Sequence, residues 1–462
     1  MNSESLSAWA EGNFGPKEVR RAIAGVCAKL GRSEDVALQE AFDAGLHPNI
    51  LTYGKLGVEL PSLPIIDRYL VGATSFLHQP SNYYDIFRAC RCVYVVQLLD
   101  AALETLLRKK TRGTEERMQR LVREMEHDGF DAALFELVTA ARYVEHPDVS
   151  GVEFISESPG KKTPDFLVQA QWGGSCVECK KVDRNQNFTI EIRNAARDLL
   201  NGVIERFRSK GLSVLAEVTF NCDPLTLKPE TLADASCDAL QQRTPIIESD
   251  FTVKAALLPR FRSSSYTLYP SAKFNWERYG YRVRGEWFGV VQQLFGSRAV
   301  RAGLPAHLRG GMSSWINEID WDAALKWKIS SEDVLARYRR FAFDSVFNGL
   351  AQIKNFGGNS TVHVWLETEY SVGARQDALV NLLGRLLTNP ANQFGWIVIN
   401  ETLFDISPQG RFDLIEHGHF IRGPTAVTPE APVCGVFADE IPHEGGGEFG
   451  LGRELPDIDE LP

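Results

Sequence analysis

The sequence predicts an α/β protein in which a mixed β-sheet is flanked by helices, with a helical region before it and further α/β elements after it. Three observations support this fold class. Apolar residues recur at helical spacing through much of residues 1–128, residues 129–222 follow the order helix, three strands, helix, strand, and residues 331–422 again alternate helices with strands.

The central elements can be placed individually. Asp131 can cap a helix that ends near Glu145, and Gly173 and Gly174 indicate a hairpin between the second and third strands. The hairpin loop is expected to be either these two glycines or the four residues 171–174. The expected elements are the strands Val152–Ser156, Asp165–Gln171 and Cys176–Lys181, the helix Thr189–Lys210 and the strand Leu212–Phe220.

Composition shifts divide the chain into five segments. They are a helical N-terminal region (1–128), a core (129–222), a basic and aromatic insertion (223–330), a second α/β unit (331–422) and a Pro/Gly-rich acidic tail (423–462). The second α/β unit either extends the first sheet or forms its own domain, and the tail is expected to be mobile. The expected elements of the second unit are a helix over 331–355, a strand Thr361–Glu367, a helix Arg375–Leu387 and a strand Trp396–Asn400.

Composition also narrows the functional class. Of the 462 residues, 44% are hydrophobic and 24% are charged, which is typical of a globular protein and excludes a disordered, collagen-like or disulfide-scaffold chain. Residues 1–17 lack an apolar signal segment, no apolar run approaches the length of a membrane span, and the eight cysteines are irregularly spaced, so we expect a cytoplasmic protein outside the membrane. The net charge of −10 argues against coating nucleic acid by bulk charge and leaves local phosphate binding open.

Two acidic residues and a lysine fall on adjacent strands. Side chains alternate along a strand, so Glu178 and Lys180 share one face of the third strand while Val177 and Cys179 share the other. Either hairpin loop places Asp165 on the face of Glu178 and Lys180. The four-residue loop puts Asp165 opposite Lys180 and diagonal to Glu178, about 7–8 Å away between backbones.

These three residues fit a hydrolytic site. Two neighbouring carboxylates raise each other's pKa unless a cation relieves their repulsion. Mg²⁺ prefers oxygen ligands, can activate a water and can hold a phosphodiester oxygen. An adjacent lysine can orient the attacking water or stabilise the charged transition state. Mg²⁺ is therefore the expected cofactor, with Mn²⁺ as a substitute.

Glu136 is a further acidic residue, in a helix that is apolar almost all round. A carboxylate there is expected to be buried and to need a partner. That partner is either a metal-bound water reached across the helix–sheet interface or a nearby Arg or Lys in a salt bridge.

The segment Phe130–Asn221 resembles the nuclease core of the PD-(D/E)XK superfamily, the restriction-endonuclease-like fold. In that family, a helix with a glutamate precedes a hairpin that carries Pro-Asp and Glu-x-Lys, followed by a helix and a strand. The matching residues here are Glu136, Pro164-Asp165 and Glu178-Cys179-Lys180. The resemblance implies a restriction-endonuclease-like sheet, Asp165 and Glu178 as metal ligands assisted by the Cys179 carbonyl, and Lys180 as the catalytic cation. The alternative is a coincidental group of surface charges.

Cations and aromatic rings are interleaved in the insertion, which is typical of surfaces that grip phosphates and stack unpaired bases. A β-rich insertion with aromatic residues in its core and arginines at its surface would show the same pattern. Lys162 and Lys181 flank the acidic residues and either contact phosphates or lie in solvent at a strand edge. The expected nucleic-acid contacts are Lys162, Lys181, Arg260, Arg262, Lys273, Arg278, Arg282 and Arg284.

Two other patterns favour structural roles. Cys176 and Cys179 have CxxC spacing, but residues three apart on a strand point to opposite faces, so we do not expect them to bind zinc. His417 and His419 have no recognisable third ligand and are expected in a surface turn.

The function we expect is hydrolysis of DNA phosphodiester bonds by a Mg²⁺-dependent nuclease, with an endonuclease favoured over an exonuclease. The resemblance alone suggests a role in genome defence or restriction. Two alternatives stay open, namely a nucleic-acid-binding or scaffold subunit that does not cleave, and a nuclease that cleaves RNA. Cutting both strands with one site per chain would call for a homodimer or a partner protein.

Overall fold

A mixed six-stranded sheet lies at the centre of the computed structural model, and a large hydrophobic cluster packs on each of its faces. This confirms an α/β fold in which helices flank a mixed sheet. Within the described residues, no helix combines the length and apolar character that crossing a bilayer requires. The structure describes residues 16–33, 35–36, 64–78, 86–156, 163–182, 187–212, 214–257, 262–269, 280–283, 287–290, 292–295, 299–301, 314–319, 322–354, 356, 359–367, 393–406, 412–433 and 435–437.

The described residues before the sheet are mostly helical, as their apolar periodicity indicates, and the other long helices lie between strands. The helices are α1 (Pro16–Leu30), α2 (Ile65–His78), α3 (Ile86–Arg108), α4 (Thr114–Arg123), α5 (His127–Glu145), α6 (Asn187–Ser209), α7 (Pro229–Gln242) and α8 (Glu332–Ile353). The strands are β1 (Val149–Phe154), β2 (Phe166–Ala170), β3 (Gly173–Lys181), β4 (Val214–Phe220), β5 (Ile246–Ile247), β6 (Phe251–Leu257), β7 (Arg262–Tyr269), β8 (Gly280–Val283), β9 (Trp287–Val290), β10 (Gln292–Phe295), β11 (Ala299–Arg301), β12 (Ser314–Ile319), β13 (Asp322–Ile329), β14 (Thr361–Glu367), β15 (Trp396–Ile406) and β16 (Phe412–Arg422).

The second α/β unit extends the first sheet. The strand order is β1-β2-β3-β14-β15-β16, in which β3, β14 and β15 are parallel neighbours and the outer pairs are antiparallel. Val362 lies beside Glu178 and Val364 beside Lys180 in the β3–β14 pair. The strand that carries Glu178 and Lys180 is therefore internal, with β2 on one side and β14 on the other.

The helix and strand that directly follow β3 do not complete this sheet, which corrects the expected core of residues 129–222. Strand β4 belongs to a separate five-stranded sheet, β10-β13-β4-β6-β5. The helix and the strand that pack next to β3 are instead α8 and β14. Both β4 and β14 are short apolar runs after a helix, so local periodicity could not tell which of them pairs with β3.

Part of the expected mobile tail is packed against the sheet. Val436 and Phe437 are buried, and Phe437 stacks on Phe135 of α5 with ring centroids 5.8 Å apart. The Glu416 carboxylate accepts the backbone N–H groups of Val436 and Phe437 at 2.9 and 2.8 Å, and Arg142 donates to the Val436 carbonyl at 3.0 Å. Hydrogen bonds to strand and helix side chains thus hold a segment whose composition alone indicated mobility.

Three further expectations in the second unit have separate outcomes. His417 and His419 lie within strand β16, so the expected surface turn is wrong; the two residues pair with Glu401 and Ile399 of β15. The helix expected at Arg375–Leu387 lies outside the described residues. The strand expected at Thr361–Glu367 is confirmed with the same bounds.

Helix α8 approaches the sheet closely through Gly349. A Cβ atom at Gly349 would lie 2.5 Å from Cγ1 of Val362 and 3.6 Å from Cγ of Glu178. Glycine therefore lets the α8 backbone cover the buried part of Glu178 without displacing strand β14.

We expect the Gly349→Ala substitution to lower the free energy of unfolding by about 1–3 kcal/mol, because the added methyl group overpacks the contact with Val362. Gly202→Ala is the matched control: Gly202 lies in helix α6, where a Cβ would be 3.4 Å from its nearest neighbour, Cβ of Pro229. That control should be neutral or stabilising by about 0.5–1 kcal/mol through helix propensity. Urea denaturation of both variants measures the difference, and equal stabilities would contradict the close approach.

Candidate active site

The register of the β2–β3 hairpin places Asp165, the residue before β2, beside Val177, Glu178 and Cys179 of β3. Ala170 pairs with Gly173 and Phe166 with Val177, so the two-residue loop is Gln171-Trp172 and neither of the expected loops is correct. Gly173 has a φ of 103°, a backbone conformation that favours glycine. Gly173 is therefore needed just after the turn, at the start of β3, and the pairing differs by two residues from that of the expected four-residue loop.

The expected division of faces along β3 is confirmed. Val177 and Cys179 pack into the hydrophobic cluster beneath α5, whereas Cys176 packs into the cluster on the other face. Glu178 therefore lies on the face covered by α8, beneath Gly349. Because Cys176 and Cys179 face opposite clusters, they do not form a shared zinc site.

Backbone and side-chain contacts hold the three polar residues together. The Asp165 carboxylate accepts the backbone N–H of Cys179 at 2.6 Å, and the Asp165 N–H donates to the Val177 carbonyl at 3.0 Å. The Lys180 ammonium forms an ion pair with Glu178 Oε1. The Glu178 side chain is fully buried, whereas a quarter of the Lys180 side chain is exposed. Lys180 therefore connects a buried carboxylate to the solvent.

The cations near Asp165 and Glu178 do not fully offset the cost of burying two negative charges, so the pKa values of both carboxyl groups are raised. The pKa of Glu178 is raised from its usual 4.5 to about 9, first by burial and then by the negative charge of Asp165, against the opposing effect of Lys180. Burial also raises the pKa of Asp165, against the Cys179 hydrogen bond and the charge of Lys180. Burial alone would lower the pKa of Lys180, but the charge of Glu178, its hydrogen bond to Lys180 and the charge of Asp165 together raise that pKa.

Glu136 lies in a salt bridge with two arginines of α4, which is one of the two partners expected for it. Its Oε2 is 3.1 Å from Nη1 of Arg117, and its Oε1 is 3.2 Å from Nη1 of Arg120. The charge of Glu136 adds to the raised pKa of Glu178, while Arg117 and Arg120 oppose the raised pKa of Asp165. This ion cluster is therefore close enough to act on the carboxylate pair electrostatically.

Sequence analysis missed Arg117 and Arg120, because the N-terminal region showed no catalytic motif. The available signal was their spacing of three residues, which puts both on one face of a helix, together with the apolar surroundings of Glu136. A buried carboxylate that needs a cation and a helix with two arginines on one face are complementary, but only the packing of α4 against α5 brings them together.

The donor set fits a divalent cation of the Mg²⁺ type. Oε2 of Glu178 is buried and has no hydrogen-bond partner among the described residues. A cation between Glu178 and Asp165 would satisfy this oxygen and remove the repulsion that raises both pKa values. No group of three or more His, Cys, Asp or Glu side chains in the described part of the chain is arranged to hold a metal. Mg²⁺ commonly binds through one or two carboxylates and keeps several waters, so two carboxylates suffice.

The expected nucleic-acid contacts are mostly not described. Lys181 does not lie at a sheet edge, because β3 is internal; its Nζ is 4.2 Å from the Trp365 ring centroid and donates to the Val182 carbonyl at 3.1 Å. Only the backbones of Arg262 and Arg282 are described, in β7 and β8. The residues outside the described part are Lys162, Arg260, Lys273, Arg278 and Arg284.

No protein-family model, no curated protein and no solved structure matches this chain. The functional interpretation therefore depends on the side chains themselves and on the resemblance of the motifs that contain them.

We expect stability to fall as pH rises from 4.5 to 9, because over this range folded Glu178 holds a proton that the unfolded chain has released. Glu178→Gln mimics the protonated side chain and should remove this decline, so it should be more stable than the parent protein near pH 9 and similar below pH 4.5. Urea denaturation across pH, with EDTA present, measures the effect.

Glu153→Gln controls for the loss of one acidic group, because Glu153 is an exposed residue of strand β1. Parallel pH profiles for the parent protein and Glu178→Gln would contradict the raised pKa of Glu178.

Proposed function

We propose that this chain is a Mg²⁺-dependent nuclease that hydrolyses phosphodiester bonds in DNA. The observation that carries the proposal is the position of Asp165 beside Glu178 in the β2–β3 hairpin, with the Lys180 ammonium in contact with Glu178. Two close carboxylates and a partly exposed lysine are the residue types that metal-assisted hydrolysis of a phosphodiester requires.

The element order supports a restriction-endonuclease-like core. The resemblance calls for a glutamate-bearing helix, the hairpin, and then a helix and a strand. Helix α5 and strands β1 to β3 fill the first positions, and α8 and β14 fill the last two beside β3. On this proposal, residues 182–331 are an insertion between β3 and α8.

The described residues have separable roles. When bound by Asp165, Glu178 and the Cys179 carbonyl, Mg²⁺ would supply positive charge at the scissile phosphate and lower the pKa of a water. Asp165 is held in place by the Cys179 N–H, so its carboxylate needs little reorganisation. Lys180 keeps part of its ammonium group near solvent, where it can orient the attacking water or stabilise developing negative charge.

The polymer, the mode of cleavage and the biological role are parts of the proposal that the resemblance supplies. DNA, endonucleolytic cutting and a role in genome defence follow from it, as does the need for a second chain to cut both strands. An RNA-cleaving enzyme would use the same residues. A scaffold that binds nucleic acid without cleaving it would have no need for the buried carboxylate pair.

Purified protein should nick covalently closed circular DNA with Mg²⁺ or Mn²⁺ and lose this activity in EDTA. We expect Asp165→Asn and Lys180→Ala each to reduce the cleavage rate by at least about 10²-fold, because each removes charge stabilisation at the scissile phosphate. Gel assays of closed circular DNA, linear duplex, single-stranded DNA and RNA compare substrates and cleavage modes.

The matched controls are Asp234→Asn and Lys210→Ala. Asp234 is an exposed residue of helix α7, and Lys210 is an exposed residue of the turn after α6, so both variants should leave the cleavage rate unchanged. Cleavage of RNA alone would favour the RNA-cleaving enzyme. Binding of DNA with every substrate left intact would favour the scaffold, and full activity of either site variant would contradict the assigned roles.

Mg²⁺ binding near neutral pH should release about one proton per protein, because Glu178 is protonated below pH 9 and must ionise to bind the cation. Isothermal titration calorimetry in buffers with different ionisation enthalpies counts these protons without measuring cleavage. Glu178→Gln should abolish the release and weaken binding, whereas Glu153→Gln should not. Tight binding with no proton release would contradict Glu178 as a ligand.

A further inference from the structure

Helix α4 belongs to the N-terminal helical region by sequence, but it is attached to the central sheet. The Arg112 carbonyl accepts the Phe154 N–H at 3.0 Å at the end of strand β1. Gly113, with a φ of 79°, follows this contact, and a Cβ there would be 2.7 Å from Cβ of Phe154. Only a glycine allows α4 to begin so close to the sheet edge.

This attachment directs Arg117 toward the backbone beside the candidate site. The Arg117 side chain is only 6% exposed, and its Nη2 donates to the carbonyl oxygens of Ile155 at 3.0 Å and Asp165 at 3.4 Å. Its Nη1 contacts Glu136 Oε2 at 3.1 Å. One guanidinium therefore joins α5, the residue after β1 and the residue before β2.

Asp165 is held from several directions, and Arg117 is the contact that comes from outside the sheet. The Asp165 carbonyl also accepts the Ile155 N–H at 2.9 Å. The neighbouring strand β3 holds the other side of Asp165, through the Val177 carbonyl and the Cys179 N–H. Movement of Arg117 would leave the Asp165 carbonyl with the Ile155 N–H as its remaining described partner on the β1 side.

We propose that Arg117 is a positioning residue that sets the location of the Asp165 carboxylate, and that Glu136 acts by holding the Arg117 guanidinium. This inference rests on the proposed nuclease function. It makes α4 part of the catalytic unit, and it replaces the expected link between Glu136 and a metal-bound water with an ion pair.

The role requires an arginine. A guanidinium presents donors in a rigid planar fork and can bind a carboxylate and two carbonyl oxygens together, whereas a lysine ammonium is a compact charge on a flexible stem. Arg117→Lys therefore keeps the charge near Glu136 and Asp165 but loses the geometry that joins them.

The test is steady-state cleavage by Arg117→Lys at a temperature where circular dichroism shows it folded. We expect kcat to fall by about 10- to 100-fold while KM stays within about threefold, because a displaced carboxylate impairs the reaction more than substrate binding. Arg123→Lys, a change at an exposed residue of the same helix, should match the parent enzyme. Unchanged kcat in Arg117→Lys would overturn the inference.

Glu136→Gln separates the two roles considered for Glu136. If Glu136 acts through Arg117, this variant loses kcat, and the double variant with Arg117→Lys is no slower than the slower single variant. An unchanged kcat in Glu136→Gln, or losses that multiply in the double variant, would overturn the inference.

The remaining outcomes are also decisive. Failure of Arg117→Lys to fold would overturn the positioning role, because it would make Arg117 a requirement of the core. A parent protein that cleaves no substrate with any metal would overturn the proposed function and this inference together, whereas an active parent with an unaffected Arg117→Lys overturns this inference alone.

Discussion

The fully buried carboxylate of Glu178 is the constraint around which the centre of this protein is organised. Parallel strands covered on both faces are normally apolar throughout, and β3 has β2 and β14 beside it and a hydrophobic cluster on each face. A charge in such a place is costly unless it is paired. Lys180 contacts this carboxylate from the same strand, but burial and Asp165 still hold the pKa of Glu178 at about 9. Ionised Glu178 therefore carries negative charge that its surroundings do not fully balance, and a divalent cation bound there can neutralise it.

The opposite face of the same sheet shows how this protein treats polar groups that have a structural role. His363 lies on β14 with its Nε2 3.1 Å from the Tyr143 hydroxyl and its Nδ1 3.5 Å from Asn400 Oδ1. Asn400 donates to Glu416 at 2.8 Å, and Glu416 in turn accepts two backbone N–H groups of the C-terminal segment. Burial lowers the pKa of His363 to about 4, so the network is neutral at its centre. Such a network stabilises a unique packing, in contrast to the unsatisfied oxygen of Glu178, which fits a binding function.

The candidate site also depends on residues distant in sequence. Asp165 and Glu178 come from one hairpin, but α8 covers Glu178 through Gly349, and α4 reaches Asp165 through Arg117. The N-terminal helices, the hairpin and the second α/β unit therefore meet at the two carboxylates.

The sequence by itself determined the features that depend on local periodicity. Alternation along a strand placed Glu178 and Lys180 on one face and separated Cys176 from Cys179, and the apolar pattern of Thr361–Glu367 gave the bounds of β14. The register of the hairpin, the pairing of β3 with β14, the burial of residues 435–437 and the approach of Arg117 to Asp165 depended on tertiary packing. The first two features follow from the positive φ of Gly173 and from competition between similar apolar strands, and the last two from side-chain contacts between residues distant in sequence. None of these causes leaves a periodic signal in the chain.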